Sequence, residues 1–214
     1  MRMNRPMILS RWLFSLFALL LVTAAGCVTT TEDGPTKRMP TGPWLEASPV
    51  LRQQIEDEAQ RLPWTHGRER VEQIHWFATV GEPAYEKLLE LAQDERPDVA
   101  GSALAAMGAT RDSRLVTSLR QLPWKPDAPP TLRFERARTL LRLGDWSEAP
   151  VLIEGLRHES LMMRALCAQA LYDTTGERFG YDAKEAEIAR EDAVQRWQAW
   201  WKERLSEGIL ASSR

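Results

Sequence analysis

The stretch DVAGSALAAMGATRDSRLVTSL, residues 98–119, decides how the rest of the chain is read. Its apolar residues recur at helical spacing as far as Gly108, and the polar run ATRDSR separates them from a second apolar run, LVTSL. A helix ending at Gly108, a turn and a returning helix are therefore predicted. Gly101, Ala103, Ala105 and Ala106 are small. Small side chains on one face mark a place where another helix passes closely.

Weaker copies of this unit lie on either side. Gly81, Gly108, Gly144 and Thr175 align as the positions that close each first helix. One helical turn earlier stand Phe77, Leu104, Leu140 and Leu171; two turns earlier stand Ile74, Gly101, Ala137 and Ala168. Beyond the closing positions come Leu88, Leu115 and Val151, each opening a second apolar run. Glycine at the stop takes the left-handed conformation without a Cβ penalty. The spacings are 27, 36 and 31 residues. Most of the excess in the middle one is assigned to PWKPDAPP, residues 123–130, which is too rich in proline to be helical. No stretch alternates like a strand, so the fold class is all-α.

The flanks read as end pieces. Ser48-Pro49 supplies a hydroxyl cap and a proline at the first helical position. The helix that follows carries Val50, Leu51, Ile55, Ala59 and Leu62 on one stripe and stops at Pro63. At the other end a helix is predicted from Asp182 to about Leu205, with Asp182 and Glu185 placed as a capping box. Its apolar side holds Ala186, Ala189, Ala193, Val194, Trp197, Trp200, Trp201 and Leu205. The three tryptophans read as a last layer of core, with a ligand cage as the alternative; Trp201 lies to one side of the stripe.

The spaced pattern over residues 67–181, DVAGSALAAMGA above all, resembles the HEAT-like repeat family in its short bacterial form. That resemblance implies a right-handed α-solenoid of about four helical pairs, because each pair buries its apolar face only by stacking on a neighbour. GERFGYD followed by RWQAWW resembles the tail that closes many bacterial HEAT-repeat proteins, a capping element of no known chemistry. On this reading residues 46–66 form an N-terminal cap, 67–181 the repeats, and 182–214 a tryptophan-rich capping helix and tail.

The N-terminus reads as an address. Residues 1–11 contain three arginines and no acid, and WLFSLFALLLVTAA, residues 12–25, is uncharged and mostly apolar. Its 14 residues are too few for a membrane span, so residues 1–26 are expected to be a cleaved export signal. Ala24-Ala25-Gly26-Cys27 resembles the lipobox of bacterial lipoproteins, with Ala24 where Leu is more frequent. The resemblance implies cleavage before Cys27, acylation of its thiol and new amine, and lasting attachment to a membrane. An ordinary secretory signal with a coincidental cysteine is the alternative. Val28 stands where an aspartate resembles an inner-membrane retention signal, which implies the periplasmic face of the outer membrane. Residues 27–45 then form a lipidated tether, rich in Thr, Pro and Gly and nearly without apolar content.

The mature chain would carry 25 basic and 30 acidic side chains, which excludes the strongly basic balance of a dedicated nucleic-acid binder. The second cysteine, Cys167, sits in an apolar helical run and reads as a packing residue. His66, His75 and His158 have no partner at zinc-ligand spacing, and HExxH, GxSxG, Walker A and GxGxxG patterns are absent. No metal, cofactor or catalytic residue is expected. Two features stand above a solvated surface as partner-binding candidates: Arg133, Arg136, Arg138 and Arg142 crowded on one helix, and Trp124 in the proline loop, joined by Trp201 of the C-terminal helix. The arginines read equally as a face paired with Glu135 and neighbouring acids. Trp124 reads equally as folding back over the seam between repeats, since Leu62-Pro63-Trp64 has the same three residues. The leading expectation is a tethered protein- or peptide-binding scaffold at the cell envelope rather than an enzyme. An accessory or lyase-like enzyme and a purely structural spacer are the alternatives.

Overall fold

Alternation of long and short helices organises the chain. The computed structural model describes residues 44–124 and 127–206, all within one unit, Met39–Arg214. The expected signal, Cys27 and nearly all of the tether lie outside the described residues. Among the described residues are nine α-helices and no strand: α1 (Pro49–Arg61), α2 (Gly67–Val80), α3 (Tyr85–Leu91), α4 (Pro97–Thr110), α5 (Leu115–Gln121), α6 (Pro130–Arg142), α7 (Ala149–Gly155), α8 (Leu161–Thr175) and α9 (Glu187–Ser206). The even-numbered helices have 13 to 15 residues, whereas α3, α5 and α7 have seven each. The fold is all-helical.

The packing is sequential. α2 lies on α4, α4 on α6 and α6 on α8; α1 touches α3, α3 touches α5, and α7 touches α9. Two clusters of buried apolar residues result, one from Ile55 to Leu143 and one from Phe134 to Trp197. α6 serves both, giving Leu140 to the first and Phe134, Ala137 and Leu141 to the second. A seven-residue helix spans only about 10 Å and could not hold itself together in water. Packing keeps these helices folded: α3 lies against α1 and α4, α7 against α6, α8 and α9, and α5 against α3 with Leu115 and Leu119 buried.

Local signals explain most boundaries. Ser48 Oγ accepts from the Leu51 amide at 3.3 Å, as the cap position requires, and Pro49 opens α1. α1 ends at Arg61, and Pro63 sits in a single 3-10 turn, Leu62–Trp64. Gly81 caps α2 at φ 69°, and Gly144 follows α6 at φ 94°.

Four expectations need correction. α4 does not end at Gly108 but runs to Thr110, and Arg111 takes the left-handed position at φ 55°. Gly108 is buried inside the helix, where an added Cβ would stand 3.3 Å from Thr139 Cα on α6. Close approach, not helix termination, is its role. α8 ends at Thr175 itself, and the left-handed residue is Gly176. With Gly81, Arg111, Gly144 and Gly176 as closing positions the intervals become 30, 33 and 32 residues, more even than the glycine alignment suggested. Finally, α9 begins at Glu187, not near Asp182, because the Asp182 carboxylate accepts from the Lys184 amide at 2.9 Å in a local turn. Ala186, Ala189 and Leu205 consequently face solvent, as does Val50 of α1, while Ala193, Val194 and Trp197 are buried.

The tightest point in the second core is Gly155, the last residue of α7. A Cβ there would collide with Cys167 Sγ and stand 2.9 Å from the Phe134 ring. Overpacking of this kind costs about 1–3 kcal/mol. Gly155→Ala is therefore expected to lower the free energy of urea unfolding by about that amount; an unchanged midpoint would show that α7 and α8 are not packed in this way.

Candidate interaction surface

The two edges of the helical stack are built differently. The turns that precede α3 and α5 are locked by charge. Arg114 donates to Asp112 and, at 2.9 Å, to Glu82, and Tyr85 donates to Asp112 at 3.0 Å. These hydrogen bonds hold the Asp112 carboxyl below its ordinary range, the Arg114 bond being the largest cause, and hold Arg114 fully charged. Trp44 packs edge-on against Tyr85 at 5.1 Å, with Arg114 over its ring, and so pins the start of the described chain to this edge. Beside α7, Asp145 receives Arg120 through two bonds of 2.6 Å and the Ser147 amide at 3.0 Å. Burial pushes the Asp145 carboxyl up, but these donors outweigh it and hold the group below the usual carboxylate range.

The opposite edge, formed by the turns after α1, α3, α5 and α7, presents apolar surface. Trp64 is 79% exposed. Leu161 and Met162, at the start of α8, and Ile188, at the start of α9, are exposed as well. An ion pair between Arg157 and Glu191 ties the first turns of α9 to the end of α7. Isolated exposed aliphatics are ordinary on a protein surface; a fully presented tryptophan is not.

The turn under Trp64 is tied by hydrogen bonds. Leu62 is buried, and the Thr65 hydroxyl lies 3.0 Å from the Leu62 carbonyl and 2.7 Å from Gln73 Oε1. The Gln73 amide in turn donates to the Glu58 carbonyl at 3.1 Å and to its carboxylate at 2.8 Å. Sequence reasoning treated Trp64 only as a parallel to Trp124. The two differ because Trp124 is half-buried: Arg136 lies 5.1 Å over its ring, and it walls a small cavity with Pro97, Pro129 and Leu132. Trp124 thus folds back over the seam, and Trp64 does not.

The other candidate residues are spread out. Arg133 pairs with Glu154 at 3.2 Å, Arg136 with Glu148 at 3.3 Å, Arg138 with Glu135 at 3.1 Å and Arg142 with Asp173 at 3.1 Å. Each arginine is matched to an acid on α6 or a neighbouring element, so the helix presents no bare cationic face. Trp197 is buried under Phe179 at 4.8 Å; Trp200 packs edge-on against Trp197 at 5.5 Å and also meets Trp146 at 6.1 Å. Trp201 is half-buried beside Trp200. The tryptophans of α9 form a core layer rather than an open cage, and Trp146 is a member that the sequence reading did not include.

Cys167 is fully buried, and its thiol is pushed up to about 12, chiefly by burial. A thiol buried in this way has little thiolate character at neutral pH. Among the described residues no group of three His, Cys, Asp or Glu side chains is placed to hold a metal ion, and no helix is long and apolar enough to cross a membrane. The His158 ring accepts from the Ser160 amide and packs edge-on against Phe134, whereas His75 stays on the surface beside Thr79. Comparison with family models, curated proteins and solved structures found no match to this chain.

Because the Asp145 carboxyl titrates below its unfolded value of about 3.9, its pairing contributes fully above roughly pH 4 and is lost as pH falls through the lower folded value. Asp145→Asn is expected to reduce stability by about 1–3 kcal/mol at pH 7. The difference from wild type should narrow at pH 3, measured by urea unfolding at both pH values. An equal difference at the two would deny the charged pair its role.

Proposed function

We propose that the chain is a membrane-tethered protein-interaction module at the bacterial cell envelope, built as a right-handed α-solenoid of about four HEAT-like pairs. The sequential packing of α2, α4, α6 and α8 supports the repeat reading, since each helix pair then meets only its neighbours in the chain. The observation that carries the functional reading is Trp64. An exposed tryptophan offers a partner a large apolar area to cover, as interface anchors do, and the hydrogen-bonded turn beneath it fixes where the ring is presented. The Arg120–Asp145 and Arg114–Asp112 pairs, by contrast, use their hydrogen-bonding capacity within the fold.

Acylation of Cys27 would place the module at a membrane surface, in the periplasmic leaflet of the outer membrane where the cell has two membranes. The proline- and threonine-rich residues 28–43 would serve as a tether from which the helical domain samples partners away from the bilayer. The work of the protein would be scaffolding. The buried, unreactive Cys167 speaks against a thiol-based lyase-like accessory role.

Cross-linking in intact envelopes with the tether retained is expected to recover one reproducible protein partner; recovery of none would overturn the interaction reading. Cys27→Ser is expected to move the protein from the membrane fraction to the soluble one. A variant that stays with the membrane would sink the lipid anchor.

A further inference from the structure

A groove runs along the seam between α1 and α3 and ends at Trp64. It begins at Trp44 with a depression of about 750 Å³ and continues into a second of about 330 Å³ beneath Pro63 and Trp64. The two adjoin at Glu56, Lys87 and Glu90, where the Lys87–Glu56 ion pair bridges the seam, so they lie end to end along it. α1 sets its length: 13 residues rise about 20 Å. An extended peptide of about six residues spans the same distance.

Charge selects the occupant. Five carboxylates line the two depressions, Glu46 and Glu86 among them, against three cations, Arg52, Lys87 and Arg96. The cations are engaged within the fold. Lys87 bridges Glu56 at 2.8 Å and Glu90 at 2.7 Å, Arg96 pairs with Asp94 at 2.7 Å, and Arg52 donates to the Ala47 carbonyl at 3.3 Å. The Glu46 and Glu86 side chains face solvent toward the Trp44 end. An excess of two negative charges therefore lies along the seam, whose far end is an exposed aromatic ring on a hydrogen-bonded turn. Lysine and arginine side chains fit both parts, since their charge meets the carboxylates and their cation stacks on an indole face.

The geometry points to the α1–α3 groove as the docking site for an extended segment of a partner protein that carries lysine or arginine, with Trp64 as its aromatic anchor. This rests on the reading of the chain as an interaction module and names the face that module uses. Trp124 is not part of it, because that ring is already covered by Arg136. Neither is the arginine-bearing α6, whose arginines are already paired with acids.

The test is selection from a display library of random dodecapeptides on the full-length protein, counter-selected on Trp64→Ala. The enriched peptides are expected to carry net positive charge and to bind Trp64→Ala at least tenfold more weakly, with affinity falling as salt is added. Glu46→Lys combined with Glu86→Lys leaves the tryptophan in place and is expected to weaken the same peptides comparably. All three positions are exposed, so the melting temperature should match wild type. Absence of enrichment over the counter-selection, or enrichment of neutral or acidic peptides, would overturn the groove. The envelope cross-linking separates the two levels of the account. A partner captured equally by wild type and Trp64→Ala removes the groove and leaves the module standing, whereas no partner for either removes the module itself.

Discussion

The most extensive helix–helix contact in the stack lies between α4 and α6, and the rest of the packing hangs on it. Gly108 lets the two helices approach until an added methyl would press on the α6 backbone, and the Thr139 hydroxyl crosses the interface to the Leu104 carbonyl at 2.9 Å. A buried hydroxyl without a partner would cost about 1–3 kcal/mol, so this bond fixes the register as well as the distance. α6 then carries the first core on one side and the second on the other. Without that shared wall the buried residues would fall into two small clusters, each short of the burial a stable domain needs.

A second asymmetry follows from how the turns are made. Where a long helix hands over to a short one, the chain reverses through a left-handed residue and is tied by carboxylate–arginine pairs. At the other edge the turn between α1 and α2 leaves Trp64 outside, and Leu161 and Met162 stand exposed where α8 begins. One edge is closed chemistry and the other is open surface. On the reading of the chain as an interaction module, recognition would draw on this second edge, where Trp64, Leu161 and Met162 are exposed.

Much of this was legible in the residues. Helical periodicity, Ser48-Pro49, Gly81 and the proline loop placed the main elements, since each is a local signal acting on its own neighbours. Gly108 was misread because glycine is used both to end a helix and to let two backbones approach, and the sequence does not say which. Arg111 in the left-handed region carries no compositional mark. Asp182 had the spacing of a capping box, but its carboxylate engages a nearer amide. Trp64 and Trp124 share the tripeptide LPW and part company through contacts with Arg136 and Leu132, which only the folded chain supplies. The Thr65–Gln73–Glu58 network under Trp64 was equally invisible, being made by polar residues with no fixed spacing.

The claim that the α4–α6 contact holds the stack together is tested most directly by native-state hydrogen exchange resolved to single residues. Amides of α4 and α6 are expected to be the slowest, exchanging only through global unfolding, with the last turn of α9 opening far more readily. Slowest exchange in α8 and α9, with α4 and α6 exchanging through independent local opening, would contradict it.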